Sequence, residues 1–183
     1  MKNVIVIALL AVIVAVLIYR SATATAEDKG PAPASQPSKA IPDQIAKKLV
    51  PDAKNRVSLT DDEWKTILTD QQFFVLRGKG TEYAFRNEYN DNHADGQFVC
   101  RGCGQELFDS KEKFESGTGW PSFWQPAKEG VVSQSTDKDL GYERDEVHCS
   151  RCDGHLGHVF KDGPKPTGLR YCINSASLKF APR

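Results

Sequence analysis

The sequence predicts a mainly β (α+β) fold with a short N-terminal helix and a four-cysteine metal staple. Three observations point there. Beyond residue 73, short apolar stretches alternate with Gly, Asn, Asp and Pro, the pattern of brief strands joined by turns. One segment ahead of them combines a helix-start signal with helical spacing. Four of the five cysteines form two Cys-x-x-Cys pairs. The length of 183 residues fits one domain plus accessory segments. Charge is balanced, 24 basic against 24 acidic side chains, so no basic excess points to a nucleic-acid partner.

Residues 4–19 are an unbroken apolar run, preceded by Lys2 and followed by Arg20. The run is slightly long for a signal-peptide core and slightly short for a membrane span. Ala22-Thr23-Ala24 and Ala24-Thr25-Ala26 both have the small-x-small form of a signal-peptidase site. Residues 1–26 are therefore expected to be a signal peptide or membrane anchor. The protein is expected to be exported to the cell envelope, anchored through 4–19 or released after cleavage near Ala24 or Ala26. Residues 27–57 begin with a stretch dominated by Pro, Ala and Ser and read as a tether, ambiguous in its polar part from 44 to 57.

Folded sequence is expected from 58 to 183. Thr60-Asp61-Asp62-Glu63 has the form of a capping box, and Trp64, Ile67 and Leu68 follow at helical spacing, which predicts a helix over about 61–70. From Phe73 the helical period is lost. Strand-like stretches lie at Phe98-Val99, Leu107-Phe108, Val131-Val132, Glu146-Val147-His148 and His158-Val159-Phe160, then over 169–173 and 178–180.

Cys100-Arg101-Gly102-Cys103-Gly104 and Cys149-Ser150-Arg151-Cys152-Asp153-Gly154 share one design, two thiols on one side of a Gly-closed turn. Together they make a four-thiolate site with every position filled, so the implied metal is structural, and one Zn2+ per chain suits it best. The long insertion between the pairs means that the metal ties together distant parts of the fold. Disulfides or separate redox pairs are the alternatives.

Cys172 is the leftover thiol. On a strand, Arg170, Cys172 and Asn174 share a face, and a guanidinium beside the sulfur favours thiolate. An inert buried cysteine is the other reading of the spacing.

The motifs Gly117-Thr118-Gly119-Trp120-Pro121-Ser122-Phe123, His155-Leu156-Gly157-His158-Val159-Phe160, Asp162-Gly163-Pro164 and Arg170-Tyr171-Cys172-Ile173-Asn174-Ser175 resemble the B-type methionine sulfoxide reductases. The resemblance runs from about residue 58 to 180. It implies two antiparallel sheets, a structural zinc far from the catalytic face, and reduction of methionine (R)-sulfoxide in proteins or peptides with Cys172 as nucleophile and a sulfenic acid as intermediate. It also makes 58–183 a catalytic domain.

Sulfoxide reduction needs a thiolate at sulfur and a proton at the departing oxygen. His155 and His158 are the candidates for the proton, and by resemblance they line the site with Asp162, Arg170 and Asn174. A second metal site is the alternative for the two histidines. Trp120 resembles the family's indole that packs on the S-methyl group, with Phe160 as a second wall; ordinary core packing is the alternative for both. Many members carry a resolving cysteine where this chain has Thr118. No sixth cysteine replaces it, so an external thiol, thioredoxin-like or a small dithiol, is expected to restore Cys172. A monomer is expected. The competing function class is a zinc-containing two-sheet ligand-binding module without catalysis.

Overall fold

The computed structural model describes residues 39–137 and 144–183. The predicted leader, 1–26, and the first part of the tether lie outside the described residues. Among the described residues no helix is long and apolar enough to cross a membrane.

Among the described residues three short helices precede the sheets: α1 (Asp43–Lys48), α2 (Asp61–Ile67) and α3 (Asp70–Leu76). The Thr60 hydroxyl accepts from the Glu63 N–H, and the Glu63 carboxylate accepts from the Thr60 N–H, so the predicted capping box is formed. The helix it starts is shorter than the expected 61–70. Thr69 and Gln72 form a second capping box that begins α3, and the intervening Leu68 is extended. The helical period therefore does not end at Phe73; it continues to Leu76, with Val75 and Leu76 buried. The tether assignment also needs correction at its C-terminal end. Ile45 and Val57 are both in the buried core.

The strands are β1 (Gly96–Cys100), β2 (Glu106–Asp109), β3 (Lys113–Phe114), β4 (Ser122–Phe123), β5 (Val132–Asp137), β6 (Arg144–Cys149), β7 (His155–Phe160), β8 (Arg170–Ile173) and β9 (Leu178–Pro182). They form two sheets, ordered β2-β1-β9 and β3-β4-β8-β7-β6-β5, with every neighbouring pair antiparallel. The two-sheet expectation holds, with three helices ahead of the sheets among the described residues in place of one.

Aromatic side chains join the sheets. Phe108 of the small sheet stacks on Phe123 of the large one at 4.4 Å, Phe98 meets the same ring edge-on at 5.1 Å, and Tyr171 lies 5.8 Å from Phe108. Phe98, Phe108 and Phe123 are fully buried. Such pairs add about 0.5–1.5 kcal/mol each beyond their burial. The central strands β7 and β8 thereby present one rigid edge on which the site is built. Gly157 in β7 allows their close approach, because a Cβ there would lie 2.1 Å from the Cys172 carbonyl oxygen.

Candidate active site and metal centre

The two cysteine knuckles are hairpin turns. One joins β1 to β2 and the other joins β6 to β7, so each sheet contributes one. They are built alike. Gly104 N–H donates to the Cys100 carbonyl and Asp153 N–H to the Cys149 carbonyl, both at 2.9 Å. Gly104 and Asp153, at matching positions, are both left-handed, with φ of 73° and 59°. In the second knuckle the turn is therefore closed by Asp153, one residue ahead of the expected Gly154.

The four Sγ atoms lie within 4.8 Å of one another, with Cys100–Cys152 at 3.7 Å and Cys103–Cys149 at 3.6 Å. A tetrahedral ion with metal–sulfur bonds of about 2.3 Å needs sulfurs about 3.8 Å apart, so these donors fit one soft divalent metal. All five cysteines are free of disulfides. Trp64 of α2 packs over Gly102, Arg77 donates to the Cys152 carbonyl at 3.0 Å, and Val57 N–H donates to the Arg151 carbonyl at 2.9 Å. The N-terminal helices thus lie over the knuckles and keep water from the thiols.

Cys172 sits elsewhere. In β8 it pairs with Ser122 of β4 on one side and His158 of β7 on the other. It is half-buried at a pocket of about 120 Å³ lined by Thr81, Trp120, Gly157, His158, Phe160, Cys172 and Asn174. The pocket therefore gathers five of the predicted site residues: Trp120, His158, Phe160, Cys172 and Asn174. Trp120 lies in the turn before β4, where its indole N–H donates to the Glu82 carbonyl at 3.2 Å. Gly119 beside it, at φ 86°, leaves room for the Phe85 ring. Asn174 is buried and fixed, donating to the Leu156 carbonyl at 3.0 Å and accepting from Glu82 N–H at 3.1 Å.

Three predicted residues do not line the pocket. Arg170 donates twice to Asp162, at 2.9 Å each, and lies 4.4 Å from the centre of the Phe160 ring. Its hydrogen bonds hold the Asp162 carboxyl below the usual range. His155 is buried, with Nδ1 2.8 Å from a Glu146 oxygen and its ring 5.4 Å from that of His158.

Arg170 pulls Cys172 towards the thiolate, as expected, but it is not the largest influence on the sulfur. Burial pushes the Cys172 thiol up, and the pull of the Thr118 hydroxyl and of Arg170 does not offset it. The Thr118 hydroxyl lies within hydrogen-bonding reach of this sulfur, its Oγ1 3.9 Å from Sγ. Hydroxyls continue from there to Ser116 and Ser122, at 2.8 Å each.

Several residues of the site were not legible beforehand. Thr81 and Gly157 line the pocket. Glu82 is buried, and its carboxylate caps the turn after β8 by accepting from Ser175 and Ala176 N–H. Desolvation raises its pKa to about 7 despite those bonds. Glu146 accepts from His155, Lys79 and Ser135. The only available signal was an acid in the strand-like stretch Glu146-Val147-His148.

Residues 68–182 match the family described as the SelR domain. The chain is 58% identical over 124 residues to the peptide methionine sulfoxide reductase MsrB of Leptospira interrogans, covering 68% of this chain and 95% of that protein. It is 55% identical to the MsrB of Thiobacillus denitrificans, over 68% of this chain and 94% of that one. With the MsrB of Bradyrhizobium diazoefficiens the identity is 52% over 139 residues, 73% of this chain and all of that protein.

Proposed function

Because the chain belongs to the SelR-domain family of MsrB-type methionine sulfoxide reductases, we propose that it reduces methionine (R)-sulfoxide in peptides or proteins, with Cys172 as nucleophile. The observation that carries the reading is the pocket itself. A single half-buried thiol faces an indole, a phenyl ring and a histidine in a space sized for one side chain.

The proposed chemistry balances as follows. Cys172 passes its proton to His158 and its sulfur attacks the sulfoxide sulfur. His158 supplies a proton to the sulfoxide oxygen, the S–O bond to substrate breaks, and the oxygen ends on Cys172 as a sulfenic acid while methionine leaves. Substrate sulfur is reduced by two electrons and Cys172 oxidised by two. An external thiol then displaces water from the sulfenic acid, forming a mixed disulfide, and a second thiol releases Cys172. Trp120 and Phe160 hold the S-methyl group; sulfur–ring contact contributes only about 0.3–1.5 kcal/mol, so exclusion of water by the two rings matters as much. Asn174 orients a polar group of the substrate. Asp162 and Arg170 act through Phe160 and the charge beside Cys172.

Zinc is the metal proposed for Cys100, Cys103, Cys149 and Cys152. With four thiolates no position stays open, so it would supply folding energy and no reaction step. Export to the envelope is proposed on residues 4–26 alone, and fractionation of cells carrying the full chain tests it. The activity is tested with separated R and S sulfoxides. The R epimer should be reduced and the S epimer not. Cys172→Ser should abolish turnover while leaving the fold and bound metal unchanged, and substantial residual turnover would refute Cys172 as nucleophile.

A further inference from the structure

Glu146 is a carboxylate in an expensive place. It lies in β6, 4% exposed, beside β7 in the sheet that carries the pocket. Its Oε1 faces His155 Nδ1 at 2.8 Å, and its Oε2 accepts from Lys79 Nζ at 2.9 Å and from Ser135 Oγ at 3.2 Å. Burial alone would drive it towards the neutral acid, but the bonds from Lys79 and His155 outweigh that, and it is held below the usual carboxylate range. An ionised carboxylate can only accept, so the proton of the neutral His155 ring is on Nδ1 and the lone pair is on Nε2. Nε2 is buried and has no hydrogen-bond partner among the described residues. Desolvation keeps the His155 ring neutral, against the pull of Glu146. The next ring is His158, edge-on at 5.4 Å, and His158 lines the pocket beside Cys172.

We propose that Glu146 and Lys79 are positioning residues that fix the His155 tautomer and set the acidity of the His155–His158 pair, and through it the proton supplied to the sulfoxide oxygen. The inference rests on the sulfoxide reductase reading. The charges around the pair are few. Glu146 comes from β6, Lys79 from the segment after α3, and Cys172 and Arg170 from β8; His148 of β6, in register with His155, is paired with Asp153 at 2.7 Å. Glu146 favours the protonated pair and Lys79 opposes it, so their removal has opposite signs. This is what separates the inference from a merely structural role.

The experiment is the pH profile of kcat/KM for the R sulfoxide, with a small dithiol as reductant, for wild type, Glu146→Gln and Lys79→Met. Loss of the negative charge should move the basic limb to lower pH. A displacement of one pH unit appears as about a tenfold loss above the limb that shrinks as pH falls. Lys79→Met should move the same limb to higher pH. Loss by a constant factor at every pH, or displacement of both variants in one direction, would overturn the inference. A wild type inactive on both epimers would instead refute the proposed function. The tautomer is tested independently by nitrogen NMR of the histidine rings in the resting protein. His155 should carry its proton on Nδ1 in wild type and become a mixture in Glu146→Leu. A wild-type ring protonated on Nε2 would contradict the inference whatever the activity.

Discussion

The molecule holds cysteine in two settings. In the knuckle centre four thiols are drawn together from two hairpins, buried and covered by Trp64, their sulfurs within 4.8 Å of one another. In the pocket a single thiol stands half-buried between a hydroxyl, a histidine and an aromatic wall. The difference teaches that reactivity here follows what surrounds the sulfur. Four mutually close thiolates with no open side can only hold an ion, and a lone thiol beside a cavity can meet a substrate.

The comparison breaks most visibly in paired variants. Cys172→Ser should reduce turnover by on the order of 10⁴-fold, the scale of losing a nucleophile, with no change in thermal stability. Cys149→Ser should do the reverse in kind, releasing metal and lowering Tm by about 10–20 °C, which corresponds to roughly 5 kcal/mol for a chain of this size. A Cys149→Ser protein that melts as wild type does would show that the knuckles are not the staple.

Thr118→Cys sharpens the contrast by giving the lone thiol a partner. The Thr118 hydroxyl is 3.9 Å from Cys172 Sγ, so a sulfur there need close by only about 2 Å to reach bonding distance. After one turnover this variant should lose two protons as an internal disulfide, read by mass spectrometry. Persistence of a sulfenic acid in the variant would mean that the loop cannot close. A smaller effect is expected from alkylation. Iodoacetamide should modify Cys172 before any knuckle thiol, with a rate that climbs above the pH at which an ordinary thiol ionises, since burial raises its pKa. A plateau already reached by neutral pH would contradict this.

The smallest effect belongs to Glu82. Its folded pKa is about 7 against 4.5 for the free group, so the folded protein holds the proton more tightly. That contribution to stability is complete below about pH 4.5 and is lost as pH rises through about 7, a swing of about 3 kcal/mol. Glu82→Gln should flatten this part of the stability–pH curve, measured by thermal melts between pH 4 and 8. An unchanged slope would place the titration elsewhere.

What was legible in the sequence was local. The Thr60–Glu63 box, the two knuckles and the short apolar strands each depend on residues a few positions apart, and all are present. The Thr69–Gln72 box has the same local form, yet α3 was missed because the helical period was read as ending at Phe73. Ile45 and Val57 were hidden in a polar stretch whose contacts come from the knuckle side of the domain. In the site, Cys172 and Trp120 announced themselves by motif, whereas Glu82 reaches Ser175 across 93 positions and Lys79 reaches Glu146 across 67. No spacing rule carries such pairs; only the packing of the segment after α3 against β6 and the turn after β8 brings them together. Arg170 is the instructive intermediate case. Its place two residues from Cys172 was plain, but the burial that outweighs its charge was not.

The central claim is that Cys172 alone takes the sulfoxide oxygen. A single turnover of the wild-type protein with methionine (R)-sulfoxide and no reductant, followed by mass spectrometry, tests it most directly. The account predicts one methionine released per chain and a protein one oxygen heavier, with the oxygen trapped at Cys172 by a sulfenic-acid reagent. A two-proton loss with Cys172 bridged to Cys100, Cys103, Cys149 or Cys152 would contradict it, because a metal thiol would then be sharing the chemistry of the pocket.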